Sequence, residues 1–144
     1  MSLIWQGIQV VKKAVCKTVI VSSNLTLASK GDCMEEVCSF IINNRVYTIY
    51  DVDRIEGKKS YVGRSDYIDT DIYIERGTFE QMMLTLKHEL MHVWLYENGH
   101  TNQDGQEIFD YEDVCELVAL SNNSINRIVN LYCYKKMLSI HRGK

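Results

Sequence analysis

His88-Glu89-Leu90-Met91-His92 sets two imidazoles four residues apart, with a carboxylate beside the first. In a helix, residues i and i+4 share one face about 6 Å apart, so both rings can reach one metal ion. Zinc suits such a pair. It takes neutral imidazole nitrogen at about 2.0–2.1 Å, and in hydrolases it adds a third protein ligand and keeps a fourth position for water. Glu89, one residue round from His88, is angled to take a proton from that water rather than to ligate. The chemistry this spacing supports is metal-assisted hydrolysis; the competing reading is a pair of ordinary hydrogen-bonded core histidines.

The flanking residues predict the helix that the motif requires. Thr78-Phe79-Glu80-Gln81 has the form of a capping box, with Thr78 as N-cap and Gln81 reaching back, and Asn98-Gly99 supplies a left-handed stop after Glu97. Between them Met83, Leu86, Leu90, Val93 and Glu97 mark one stripe, while Leu84, Met91 and Leu95 add apolar residues beside the histidines. A helix apolar nearly all round is expected to be buried. Two histidines and a glutamate are costly in such a helix without a partner, and one metal ion accounts for all three.

The third ligand is sought by spacing. A histidine six residues beyond His92 would stand at Asn98, with a glycine at Leu95, so that metallopeptidase pattern is excluded. His100 falls past Gly99, where a loop position is expected. The better source is Asp110 to Ala119, a second helix capped by Asp110, on which Glu112, Cys115, Glu116 and Ala119 form one stripe and Val114, Leu117 and Val118 face the core. Short side chains between two carboxylates permit close approach and offer an oxygen ligand. Taken without the upstream motif, Glu112 and Glu116 are an ordinary solvated helix face.

With Leu86 to Tyr96 around the motif, then Glu112, Val114-Cys115 and Leu117-Val118-Ala119, the chain resembles the zincin metallopeptidases with a glutamate third ligand, in particular the ImmA/IrrE-like group and its short phage and mobile-element relatives. Asn43 to Ile49, Gly63-Arg64 and Asp71-Ile72-Tyr73-Ile74 look like the strands preceding the helix in that group, so the resemblance covers about residues 40 to 130. It implies that His88, His92 and Glu112 hold one zinc per chain, that Glu89 is the catalytic base, and that Glu116 orients a ligand from behind. It also makes Asp71 to Ile74 a candidate edge strand on which an extended substrate pairs. Tyr111 and His100 are candidates for stabilising the oxyanion.

Composition bounds the rest. A chain of 144 residues suits one domain, residues 1–144, with a self-sufficient core. The apolar stretch from Ile8 to Ile20 is broken by Lys12, Lys13 and Lys17, and nothing reaches membrane-spanning length, so a soluble, cytoplasmic protein is expected. Five cysteines without a Cys-x-x-Cys fit a reducing compartment better than a disulfide framework. A net charge of −3 argues against a duplex nucleic-acid partner, and no membrane partner is expected.

Along the chain, Ile4, Ile8, Val11 and Val15 have helical spacing, while Val19-Ile20-Val21 reads as strand. Val37 to Ile42 and Arg45 to Asp51, joined by Asn43-Asn44, predict a hairpin, and Asp69 to Glu75 a further strand. After the Glu112 helix, Ser124 is expected to cap a last helix burying Ile125, Ile128, Val129 and Tyr132. The expectation is an α+β, zincin-like fold: a small antiparallel or mixed sheet on a buried metal-binding helix, followed by C-terminal helices. The expected function is zinc-dependent cleavage of a protein or peptide substrate. The alternatives are a non-catalytic, zinc-stabilised interaction or regulatory protein, and a SprT-like DNA-associated protease. Against the latter stand the missing distal histidine, the missing zinc ribbon and the acidic charge.

Overall fold

In a computed structural model of the chain, the described residues are 33–55, 62–100 and 109–143. The predicted helical and strand-like segments between Ile4 and Val21 lie outside them. Strands β1 (Met34–Ile42) and β2 (Arg45–Val52) form the expected antiparallel hairpin. Its turn residues Asn43 and Asn44 both have positive φ, 46° and 64°, the left-handed pair a tight hairpin turn needs and asparagine tolerates. Two shorter strands follow, β3 (Gly63–Asp66) and β4 (Asp71–Glu75). The sheet order is β1-β2-β4-β3, with β2 parallel to β4 and the other neighbours antiparallel.

That order corrects one expectation. Asp71, Ile72, Tyr73 and Ile74 belong to β4, which pairs with β2 on one side and β3 on the other, so they form an interior strand and not a sheet edge. Among the described residues the outermost strand beyond them is β3. Its Gly-Arg-Ser-Asp sequence has no apolar alternation to announce it.

Both helices lie on one face of the sheet, α1 (Phe79–Glu97) over β3 and β4, and α2 (Tyr111–Arg142) over β1 and against α1. Their shared core contains Tyr47, Ile49, Ile72, Ile74, Leu86, Leu90, Val93, Ile128 and Tyr132. The cap of α1 is as expected: Gln81 N–H donates to Thr78 Oγ1 at 3.3 Å, and Thr78 N–H donates to Gln81 Oε1 at 3.2 Å. Gly99, at φ 74°, ends the helix in the left-handed region. The helix is nevertheless buried on one side only. Met82, Leu86, Glu89, Leu90 and Val93 face inward, while Leu84, Lys87, His88 and His92 are exposed, because the sheet and α2 cover one side and leave the Gln81-Leu84-His88-His92 side open.

The two expected C-terminal helices are one helix of 32 residues. Asp110 caps it, accepting from Asp113 N–H at 2.8 Å, but Ser124 does not start a new one. Leu120 to Ser124 contain neither glycine nor proline, and the polar side chains there bond along the helix. Ser121 Oγ donates to Val118 O at 3.2 Å and Asn126 Nδ2 to Asn122 Oδ1 at 3.0 Å. Ile125, Ile128, Val129 and Tyr132 are buried as predicted, whereas at the other end Leu117 is buried and Val114 and Val118 are exposed. No helix among the described residues is long and apolar enough to cross a membrane. Cys38, Cys115 and Cys133 are free thiols, but Cys33 is disulfide-bonded, which departs from the thiol reading of the odd cysteine count.

A buried charge fastens α2 to the sheet. Asp51 on β2 has no exposed surface and accepts from Tyr132 Oη at 2.6 Å and from Lys136 Nζ. Removing the cation strands the carboxylate, whereas removing the phenol deletes one hydrogen bond. Lys136→Met should therefore destabilise by about 3 kcal/mol, the low end for a broken buried pair because Lys136 is itself partly exposed. Tyr132→Phe should cost about 1–2 kcal/mol. Urea denaturation of the two variants checks this order.

Candidate functional site

The helix delivers the paired histidines as their spacing requires. His88 Nε2 and His92 Nε2 stand 3.0 Å apart, the rings nearly perpendicular with centroids 4.6 Å apart. Two ligands of a tetrahedral ion at about 2.0–2.1 Å lie about 3.3 Å from each other, so small rotations of these exposed rings would admit a metal between them. The same approach also allows an N–H···N hydrogen bond when one ring nitrogen carries the proton. Geometry and donor type thus fit a two-histidine share of a zinc site. Among the described residues no third His, Cys, Asp or Glu joins the pair.

Glu89 points the other way, into the protein, and is held by β3. Ser65 Oγ donates to Glu89 Oε2 at 2.8 Å and lies 3.2 Å from the Glu89 carbonyl oxygen. Two residues earlier, Gly63 passes so close to α1 that a Cβ there would meet Glu89 Oε1 at 2.8 Å and Glu89 Cγ at 2.9 Å, and would also run into the Thr85 methyl. The carboxylate is therefore buried yet hydrogen-bonded, the condition under which a buried polar group is tolerated. Arg64 and Tyr67 feel its charge. Burial depresses the proton affinity of the Arg64 guanidinium, opposed by Asp66, Tyr73 and Glu89. Burial raises that of the Tyr67 phenol, with Glu89 and Tyr96 adding to the effect.

The C-terminal end of α1 is pinned to the hairpin. Glu97 Oε1 accepts from Arg45 Nη1 at 2.7 Å and from Tyr47 Oη, while Asn43 Nδ2 donates to the Glu97 carbonyl at 2.7 Å. Arg45 also reaches the Tyr67 carbonyl, and the Tyr67 and Tyr96 rings stack with centroids 4.3 Å apart. With the cap at one end, Glu89 in the middle and Glu97 at the other, α1 has little freedom to turn about its axis. The direction of His88 and His92 is fixed accordingly.

The other expected site residues are not gathered around this pair. Glu112, Glu116 and Tyr111 lie exposed in the first turns of α2, Tyr111 at 81%. His100 stacks on Trp94, ring centroids 5.6 Å apart, and lines a cavity of about 390 Å³ with Phe109, Asp113, Glu116, Leu117 and Leu120. Sequence reasoning passed over Gly63 and Ser65 as neighbours of the carboxylate. Gly63-Arg64 entered only through the family resemblance, and no local pattern marks a serine as the partner of a residue 24 positions away. Comparison with family models, with curated proteins and with solved structures finds no match for the chain.

The close approach of β3 to α1 generates a prediction. Gly63→Ala must push the strand from the helix or displace Glu89, and should destabilise by about 1–3 kcal/mol in urea denaturation, the usual cost of overpacking. Gly77→Ala, at an exposed glycine where a Cβ meets only the Gln81 side chain, its nearest atom being Oε1 at 3.0 Å, serves as the control and should cost less.

Proposed function

We propose that this chain is a zinc-dependent peptidase of zincin type. The observation that carries the reading is the convergence of His88 and His92 Nε2 at 3.0 Å on an exposed helix face. His88 and His92 would hold the ion, with Glu112 as the third ligand and Glu116 orienting an imidazole, both carried by the family resemblance. A zinc ion so held supplies a bound water that ionises near neutrality and an electrophile for the scissile carbonyl.

As the base that the resemblance implies, Glu89 would take the proton of the attacking water and pass it to the leaving amine once its carboxylate turns from Ser65 towards the histidine face. Ser65 holds Oε2 in the inward position from which that turn starts, with Oε1 on the Gly63 side. The substrate lies along β3. Glu75 N–H bonds to Val62 O at 2.9 Å, and with the antiparallel register this turns the backbone N–H and C=O of Gly63 and Ser65 away from β4, towards the outer edge. An extended peptide added there passes beside Glu89.

Two experiments test the proposal. Freshly purified, untagged protein should carry about one zinc per chain by elemental analysis, and His88→Ala should lower both zinc content and thermal stability, since binding to the folded form adds to folding free energy. Glu89→Gln should retain zinc and lose peptide hydrolysis by several orders of magnitude. Failure to take up zinc defeats the site, and undiminished hydrolysis by Glu89→Gln defeats the mechanism.

The carboxylates are separable by chelator competition. Glu112→Ala should abolish tight zinc binding and Glu116→Ala should weaken it by roughly 10–100-fold. The reverse order exchanges their roles, and no effect from either removes both from the site.

A further inference from the structure

Resting on the peptidase reading, we propose that a cavity at the start of β3 is a subsite for an apolar side chain of the substrate, within two residues of the cleaved bond. The cavity has a volume of about 310 Å³ and is lined by Val62, Glu75, Arg76, Gly77, Gln81, Leu84 and Thr85. Two of its residues place it beside the candidate centre. Thr85 lines the cavity, and its methyl, like Glu89, occupies the space that a side chain at Gly63 would need. Leu84 lies one helical turn before His88, and Thr85 one turn before Glu89. A turn advances about 5.4 Å along the axis and an extended chain about 3.3 Å per residue, so a peptide on β3 spans that distance in under two residues.

The chemistry of the lining selects the occupant. The two charged residues are engaged elsewhere: Glu75 Oε2 accepts from Ile55 N–H at 2.9 Å, while Arg76 binds Asp53, Glu35 at 3.2 Å and the Cys33 carbonyl at 3.2 Å. The Gln81 amide oxygen is held by the Thr78 cap at 3.2 Å. The exposed apolar side chains of the lining are Val62 and Leu84, the latter 63% exposed. Strand pairing turns alternate side chains of a peptide to the same side, so one of them meets this surface while its neighbours do not. Valine, leucine or isoleucine of the substrate would cover Val62 and Leu84 without displacing any of those hydrogen bonds.

Zinc-loaded wild type and Leu84→Glu are incubated with a fully randomised synthetic peptide library, and cleavage products are sequenced by mass spectrometry. Leu84 is exposed, so the substitution leaves the core intact, which circular dichroism and Tm verify. Wild type should enrich aliphatic residues at one fixed position within two residues of the cut. Leu84→Glu should reduce that enrichment about tenfold or more at that position alone, as expected when an apolar contact is replaced by a charge. As a readout independent of turnover, zinc-loaded Glu89→Gln with a diazirine-leucine peptide from the enriched set should crosslink at Val62, Leu84 or Thr85. An unchanged profile in Leu84→Glu, or crosslinks confined to other residues, overturns the subsite while leaving the peptidase reading standing. A wild type that cleaves nothing overturns both.

Discussion

The arrangement depends on the contact between β3 and α1 at Glu89. A four-residue strand of low hydrophobicity would ordinarily contribute little to a core. Here a glycine lets its backbone reach the helix and a serine two residues on hydrogen-bonds the buried Glu89 carboxylate of that helix. Because side chains alternate across a strand, Gly63 and Ser65 face the helix together, and no other pair of positions on β3 presents so small a group followed by a hydroxyl. Fixing Glu89 inward fixes the rotation of α1, and that rotation puts His88 and His92 outward on a common face.

The remaining polar contacts hold that helix and its surroundings in register. At the end of α1, Glu97 collects Arg45, Tyr47 and Asn43, so the hairpin turn and the helix terminus constrain one another. Asp51 of β2 receives Tyr132 and Lys136 and locates α2 over β1. Burying carboxylates in this way gains little net stability over apolar packing, but a misplaced partner is heavily penalised. The apolar core of Ile49, Ile72, Ile74, Leu86, Leu90 and Val93 supplies the non-directional attraction, and the three carboxylates select one orientation among those the core would permit.

Much of this was legible in the chain. The capping box at Thr78, the stop at Gly99, the cap at Asp110 and the Asn43-Asn44 turn are local signals carried by backbone hydrogen-bonding needs, and each stands where its residues predicted. The 3.6-residue period located the buried faces around Leu86, Leu90, Val93, Ile125, Ile128 and Tyr132. What escaped were non-local matters. Whether Asp71 to Ile74 lies at an edge depends on a partner with no hydrophobic pattern of its own, and whether Val114 and Val118 are covered depends on what packs on that side of α2. The histidine motif was plain, but the exposure of its face was not, because apolar residues on both sides of the helix read as burial.

The central claim is that His88 and His92 share one zinc ion, and X-ray absorption at the zinc edge of the loaded full-length chain tests it most directly. A first shell of nitrogen and oxygen at about 2.0–2.1 Å is predicted. Outer-shell scattering should correspond to two imidazoles, falling to one in His92→Ala. A shell dominated by sulfur at about 2.3 Å, or a spectrum unchanged by both His88→Ala and His92→Ala, would contradict the account.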